Sequence, residues 1–324
     1  MQRDKSNMKR TCVLLFGTQL GDSFAVIGQL GNPIGFIGLG VMGEPMCRNL
    51  AAKSGRPIYA FDKNADPLER LAVEGVRAAR NIADLAAQCR TIFLSLPSGE
   101  QVSAVCEGPD GLLENAIRGQ TVVDMSTSPV DLTRRLEAAF RERGVSFADA
   151  PIARTRRAAE DGTLAITVGG DATTFSAIQP LLACMGSDVT YCGPIGSGQI
   201  VKLLNNMVMM EVGVAISEAL AIGRRAGMDG ALLFDALSKG SADSFALRNH
   251  GMKAILPGEF PERAFSAIYA RKDMSYVLAL AAEVGVDAKA ARYVDQLLEQ
   301  TIAAGYGELY WPVISRQLSN EERP

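Results

Sequence analysis

The chain holds one histidine, His250, in 324 residues. That scarcity disfavours acid/base chemistry built on a His–carboxylate pair, because there is almost no choice of imidazole. His250 sits in Arg248-Asn249-His250-Gly251 with no adjacent carboxylate, and reads as a loop or helix-end residue. The six cysteines (Cys12, Cys47, Cys89, Cys106, Cys184, Cys192) form no CxxC pair and cluster with no histidine. A zinc site and a disulfide framework are both disfavoured, and the pattern suits the reducing cytoplasm. No run of about 18 uninterrupted apolar residues is present, so no membrane partner is expected. Nor is there a basic excess. Lys and Arg total 33 against 36 Asp and Glu, a net charge of −3, so nothing marks a nucleic-acid surface.

What is present is a globular balance, 48% hydrophobic and 21% charged, without internal repeats or low-complexity tracts. Residues 1–32 stand apart. Met8-Lys9-Arg10 and the apolar residues 12–16 faintly mimic a signal peptide. That run is short, and Gly17, Gln19 and Asp22 break it. A disordered extension is expected there, closed by Gly31-Asn32-Pro33.

From residue 34 the pattern alternates. Strands are expected at 34–38, 58–62, 91–96, 121–125, 147–150 and 163–169, and helices at 44–54, 65–74, 80–87, 101–106 and 129–143. Strand–helix alternation implies a mostly parallel sheet covered on both faces. After Tyr191-Cys192-Gly193-Pro194 only helices are expected, at 199–223, 229–238, 272–284 and 290–303. The fold class is therefore α/β: a doubly wound Rossmann domain over 33–193, then an all-helical substrate and dimerisation domain over 194–324.

Gly38-Leu39-Gly40-Val41-Met42-Gly43 fits G-x-G-x-x-G between a strand and a helix. The first glycine allows the tight turn, the second close approach of a pyrophosphate, and the third helix–strand packing. The helix N-terminus then favours anionic phosphates. Asp62 ends the second strand about 20 residues on, where an acid binds the adenosine ribose. Such a carboxylate repels the 2′-phosphate of NADP, so NAD is the expected cofactor; Lys63 and Asn64 leave some tolerance of NADP. A turn-forming Asp is the plainer reading of Asp62. Leu96-Pro97-Ser98 and Asp124-Met125-Ser126-Thr127 end further strands at the carboxyl edge, where ligands of open sheets bind. Helix capping before Pro129 is the other reading of Ser126 and Thr127.

Four blocks resemble the β-hydroxyacid dehydrogenase family, in order along nearly the whole chain from Ile34 to Leu318. They are the glycine turn, Asp149-Ala150-Pro151 with Gly162-Thr163-Leu164, residues 196–206 (GSGQIVKLLNN), and Lys272-Asp273. The resemblance implies an active site between the domains with Lys202 as general acid/base. It implies that Ser126, Asn205, Asn206, Phe265 and Asp273 line the substrate, and that Lys272 lies near the cofactor. It also implies a homodimer or homotetramer acting on a small anionic aldehyde or hydroxy acid.

The residues themselves support Lys202. It lies in the early turns of a helix, with Asn205 and Asn206 three and four positions on and on the same face. Reduction of an aldehyde creates an alkoxide that needs a proton, and an ammonium in a dry cleft has a lowered pKa suited to giving one. An exposed surface lysine is the bland alternative. One segment departs from the family. Ala153 and Arg154 stand where most members carry Ser-Gly, and Arg154-Thr155 resembles sulfolactaldehyde-reductase-type and 4-hydroxybutyrate-dehydrogenase-type members. Arg154, with Thr155, is therefore expected to hold the anionic end of the substrate through its planar fork. A surface arginine is the alternative, because Arg156 and Arg157 follow. Met209 stands where the sulfonate enzymes carry serine, which weakens that closer match. Retention of Lys202 disfavours both a silent NAD-binding module and an imine reductase of the same layout.

Overall fold

The computed structural model describes residues 31–319 apart from residue 263. The expectation for residues 1–32 lies almost wholly outside the described residues.

The first half alternates as its periodicity requires. The order is β1 (Ile34–Ile37), α1 (Gly43–Ser54), β2 (Ile58–Phe61), α2 (Asp66–Ala72), β3 (Arg77–Ala78), α3 (Ile82–Gln88), β4 (Thr91–Leu94), α4 (Gly99–Glu107), α5 (Leu112–Asn115), β5 (Thr121–Asp124), α6 (Val130–Glu142) and β6 (Ser146–Asp149). Then come β7 (Ile152–Ala153), α7 (Arg156–Asp161), β8 (Leu164–Gly169), α8 (Ala172–Leu182) and β9 (Gly186–Gly193). The strands form one sheet in the order β3-β2-β1-β4-β5-β6-β8-β7, with β9 beside β8. The run from β3 to β6 is parallel, whereas β8 is antiparallel to β6 and β7.

Both faces are covered. Phe36, Phe93 and Val123 pack one face with Met46 and Leu50. Ile37, Ile92, Leu94 and Val122 pack the other with Leu136 and Phe140. Neighbouring residues of one strand thus serve opposite faces, so these strands read as continuous apolar runs. The order reverses between β1 and β4, which opens a crevice beyond their carboxyl ends.

The second half is helical: α9 (Ser197–Arg225), α10 (Gly230–Leu237), α11 (Ala267–Glu283) and α12 (Lys289–Thr301), with a π-helical stretch at Leu247–Ile255. α9 is the spine. Its Leu203, Met210 and Val214 share a core with Met274, Leu298 and Trp311. Gly213 lets Trp311 seat against it, because any Cβ there would strike the indole ring. By length and mean hydropathy α9 is apolar enough to cross a membrane, although polar residues interrupt its apolar run. Core packing accounts for part of that apolarity, 39% of the most apolar window being buried, while Val201, Leu204 and Val208 remain exposed.

α11 starts at Ala267, capped by Ser266, and not at residue 272 as the periodicity suggests. Lys272 and Asp273 therefore occupy its second turn. β9 was invisible in the sequence because most of its side chains are exposed or half-buried and show no apolar alternation.

Candidate active site

The glycine turn follows β1. Gly38 has φ +93°, and a Cβ on it would strike the Ser95 carbonyl. A Cβ on Gly43 would strike the carbonyl of Gly38. The fold itself requires these two glycines. Gly40 differs, because a Cβ there meets nothing within 4 Å. Open space over that backbone, beside an α1 that no side chain caps, is what a pyrophosphate needs. Leu39 is buried, Met42 partly so, and Val41 is half exposed. Asp62 joins the turn: Oδ2 accepts the Leu39 N–H at 2.5 Å and Oδ1 accepts Asn64 N–H at 2.8 Å. These residues fit a dinucleotide.

The ends of β4 and β5 are tied together, the Ser126 hydroxyl accepting Leu96 N–H at 2.9 Å. Capping does not explain Ser126 or Thr127, because α6 begins behind Pro129 without a side-chain cap. Ser98 does cap α4, accepting Glu100 N–H at 3.2 Å. The helical layer closes onto the same edge through α11. Lys272 Nζ donates to the Pro97 carbonyl at 2.8 Å, 5.5 Å from the ring centres of both Tyr269 and Tyr276. Tyr276 Oη accepts Gly99 N–H at 3.2 Å.

Lys202 lies on the second turn of α9. Its ammonium donates to Asn206 Oδ1 at 3.1 Å, as does Asn205 Nδ2, while Asn206 Nδ2 donates to Asp273 Oδ2 at 2.7 Å. Asp273 and Asn206 are buried, whereas Asn205 is exposed. Asp273 Oδ1 is 3.1 Å from Lys272 Nζ but lacks a well-directed hydrogen bond. Burial lowers the pKa of Lys202; the Asp273 charge opposes this and the Lys272 charge adds to it. The result is an amine able to exchange a proton nearer neutrality than a surface lysine.

Arg154, Thr155 and Phe265 show other partners and surroundings. Arg154 is exposed, with φ +86°. Its guanidinium donates to the Thr163 carbonyl at 2.6 Å, Ser187 Oγ at 2.9 Å and Asp188 Oδ2 at 2.7 Å. That fork is occupied by groups beside β8 and on β9. Thr155 is exposed at the start of α7. Phe265 is half-buried against the core of the helical layer just before α11.

Two buried carboxylates and a glutamine lie within motifs legible in the sequence but are assigned no role of their own there. Asp124 is held by Ser126 N–H and Ser128 Oγ–H, and burial raises its pKa to about 6. Asp149 accepts Gly196 N–H at 2.8 Å and Gln199 N–H at 2.7 Å, and burial raises its pKa also. Gln199 is fully buried one turn before Lys202. A cavity of about 530 Å³, lined by Ser217, Leu220, Ile255 and Phe260 among others, lies further along α9. It begins about four turns beyond Lys202 and is separate from this cluster.

Residues 33–193 match the family described as the NAD binding domain of 6-phosphogluconate dehydrogenase. Residues 196–309 match that described as NAD-binding of NADP-dependent 3-hydroxyisobutyrate dehydrogenase. The chain is 34% identical to 2-(hydroxymethyl)glutarate dehydrogenase of Eubacterium barkeri over 85% of its length and 90% of that protein's. It is 31% identical to mitochondrial 3-hydroxyisobutyrate dehydrogenase of Rattus norvegicus, over 90% of this chain and 88% of that one. The solved structure of Mycobacterium tuberculosis 3-hydroxyisobutyrate dehydrogenase with L-serine superimposes with TM-score 0.81 and 28% identity, covering 89% of this chain and 99% of that one. Two-domain coverage at these identities, on a sheet whose glycine turn fits a dinucleotide, places the chain in the β-hydroxyacid dehydrogenase family of NAD-dependent oxidoreductases acting on CH–OH groups.

Proposed function

We propose that the protein interconverts a small anionic β- or ω-hydroxy acid and its semialdehyde, with Lys202 as the general acid/base. The observation that carries the assignment is the chain Lys202–Asn206–Asp273, in which a half-buried amine is held by a buried amide that a buried carboxylate orients. Bound NAD(H) supplies or accepts the hydride. Lys202 gives a proton to the carbonyl oxygen during reduction and takes one from the hydroxyl during oxidation. Ser126 accepts Leu96 N–H through its hydroxyl oxygen and lies beside Asp124, and it contacts the substrate in this reading. Asn205, at the exposed edge, and Asp273 Oδ1 offer further contacts, and Phe265 is the apolar contact in this reading. Gly38 to Gly43 and Asp62 cradle the adenosine and pyrophosphate. Leu96, Pro97, Ser98, Thr127 and Lys272 line the approach of the nicotinamide end.

In this reading Arg154 stays on Asp188, an exposed pair for which a substrate anion would have to compete, and the substrate's anionic end rests on other groups. Candidate substrates are semialdehydes of carboxylic acids, with sulfonated aldehydes such as sulfolactaldehyde as the comparison. The domains divide near Gly193. A homo-oligomer is supported by apolar residues left exposed on α9, including Val201, Leu204 and Val208. A cytoplasmic setting is supported by the unpaired state of Cys47, Cys89, Cys106, Cys184 and Cys192.

The test is a screen at 340 nm with NADH and NADPH against succinic semialdehyde, methylmalonate semialdehyde, tartronate semialdehyde and sulfolactaldehyde. Turnover of at least one carboxylated aldehyde with preference for NADH is expected. No oxidation of either cofactor across the set would overturn the assignment.

A further inference from the structure

We propose that Gln199 is a positioning residue for this reaction, fixing the loop that carries Ser126 against the helix turn that carries Lys202. The inference rests on the proposed roles of those two residues.

Both ends of the Gln199 amide are committed to one short loop. Nε2 donates to the Ser126 carbonyl at 2.8 Å, and Oε1 accepts Ser128 N–H at 3.1 Å. The side chain is fully buried, so no water can replace either bond. The backbone of the same residue is fixed from another strand, its N–H donating to Asp149 Oδ2 at 2.7 Å. Thr167 on β8 adds a bond to the Gly198 carbonyl at 3.1 Å. The first turn of α9 is thereby tied to the ends of β5 and β6 and to β8. Gln199 is the member of that set whose side chain reaches the substrate-side loop.

Gln199, Lys202 and Asn206 follow one another at helical spacing, so all three lie on one face of α9. Ser126 lies at the other end of the Gln199 bond. The amide therefore sets the separation between a hydroxyl that binds and an amine that exchanges protons. Neither group touches Gln199 chemically during the reaction. Its effect is on geometry, where a displacement of about 1 Å costs roughly a hundredfold in rate.

The donor half can be switched reversibly. In Gln199→Glu the shape is kept, but an ionised carboxylate cannot donate to the Ser126 carbonyl and repels it. The protonated acid can donate. Asp124 and Asp149 lie in the same buried cluster and favour the protonated form, whereas Lys202, with Lys272 beyond it, favours the ionised form. Asp273 faces Lys202 from α11 and is neutralised in part by Lys272.

The experiment measures kcat, KM and the dissociation constant for NADH of wild type, Gln199→Glu and Gln199→Leu from pH 5.5 to 9, on an aldehyde that the wild type turns over. At pH 8.5 both variants are expected to lose tenfold or more in kcat/KM while binding NADH within twofold of wild type. Lowering the pH to 6 should raise the Glu-to-wild-type ratio at least fivefold and leave the Leu ratio flat. A carboxylate that merely raised the pKa of Lys202 would move the reductive ratio the opposite way, upward with pH. Because NADH binding must stay within twofold of wild type at both pH values, pH-dependent unfolding cannot imitate the recovery. Wild-type kinetics in either variant, or a loss in the Glu variant that acid does not relieve, overturns the proposal. Failure of the Lys202 assignment appears separately, as an active Lys202→Met enzyme.

Discussion

Asn206 donates to Asp273 at 2.7 Å, and with its amide oriented this way its oxygen faces the ammonium of Lys202. A carboxylate on α11 thus acts on a lysine on α9 both through charge and through the amide between them. Its charge opposes the downward push that burial exerts on the lysine pKa. Asp273→Asn removes that opposition, so the pKa of Lys202 should fall further. In oxidation, which needs the neutral amine, the ascending limb of kcat/KM should move to lower pH. In reduction, which needs the ammonium, activity should be lost at lower pH than in wild type. A pH–rate profile in both directions checks the sign. Asn206→Ala should lower kcat by about tenfold to a hundredfold, through lost orientation.

The glycines of the turn should separate by phenotype. Gly38→Ala meets a positive φ and the Ser95 carbonyl, and Gly43→Ala meets the Gly38 carbonyl. Each should destabilise the fold by about 1–3 kcal/mol, seen as a lower Tm. Gly40→Ala has free space and should leave Tm unchanged. It should instead raise the Kd for NADH by roughly tenfold, or about 1.4 kcal/mol, because its methyl would occupy the pyrophosphate's path.

Asp62 should govern cofactor choice. Its carboxylate faces the turn at Leu39, where the adenosine ribose would lie. Asp62→Ser should reduce the preference for NADH over NADPH by roughly tenfold, measured as the ratio of kcat/KM values. An unchanged ratio would place the ribose elsewhere.

His250 should matter to stability and not to turnover. It is 6% exposed, bonded through Nδ1 to Tyr310 Oη at 2.5 Å, and packed against Trp311. Burial, aided by the charge of Lys253, lowers its pKa to about 4. The unfolded chain binds this proton from about pH 6.5 downward, before the folded protein does. Stability contributed by neutral His250 is therefore full above pH 6.5 and lost as pH falls toward 4, by up to about 3 kcal/mol. Tm should decline over that window in wild type, and the decline should be shallower in His250→Gln with kcat at pH 8 little changed.

Arg154 tests whether its ion pair with Asp188 persists when substrate binds. Arg154→Gly removes the pair but relieves the φ of +86°. KM for carboxylated aldehydes should stay within twofold of wild type. A rise above tenfold would return Arg154 to the substrate.

Sheet, glycine turn and helical half were legible in the sequence because apolar periodicity and turn residues fix them locally. The Lys202–Asn206 spacing was legible for the same reason, as both lie on one helix face. Arg154 was not, because its neighbours Thr163, Ser187 and Asp188 are adjacent only after β8 and β9 pair. Gln199 and Asp149 were missed for a related reason: their partners lie about 50 to 70 residues away across the sheet ends. A buried amide with two distant partners leaves no local pattern.

Replacing Lys202 by Met keeps the length of the side chain and removes the proton. Single-turnover reduction of a preferred semialdehyde, followed at 340 nm with NADH already bound, isolates the chemical step. A fall in rate of at least about a thousandfold, with the Kd for NADH within threefold of wild type, is the expected result. A variant that reduces the aldehyde within tenfold of the wild-type rate would show that the proton comes from another group.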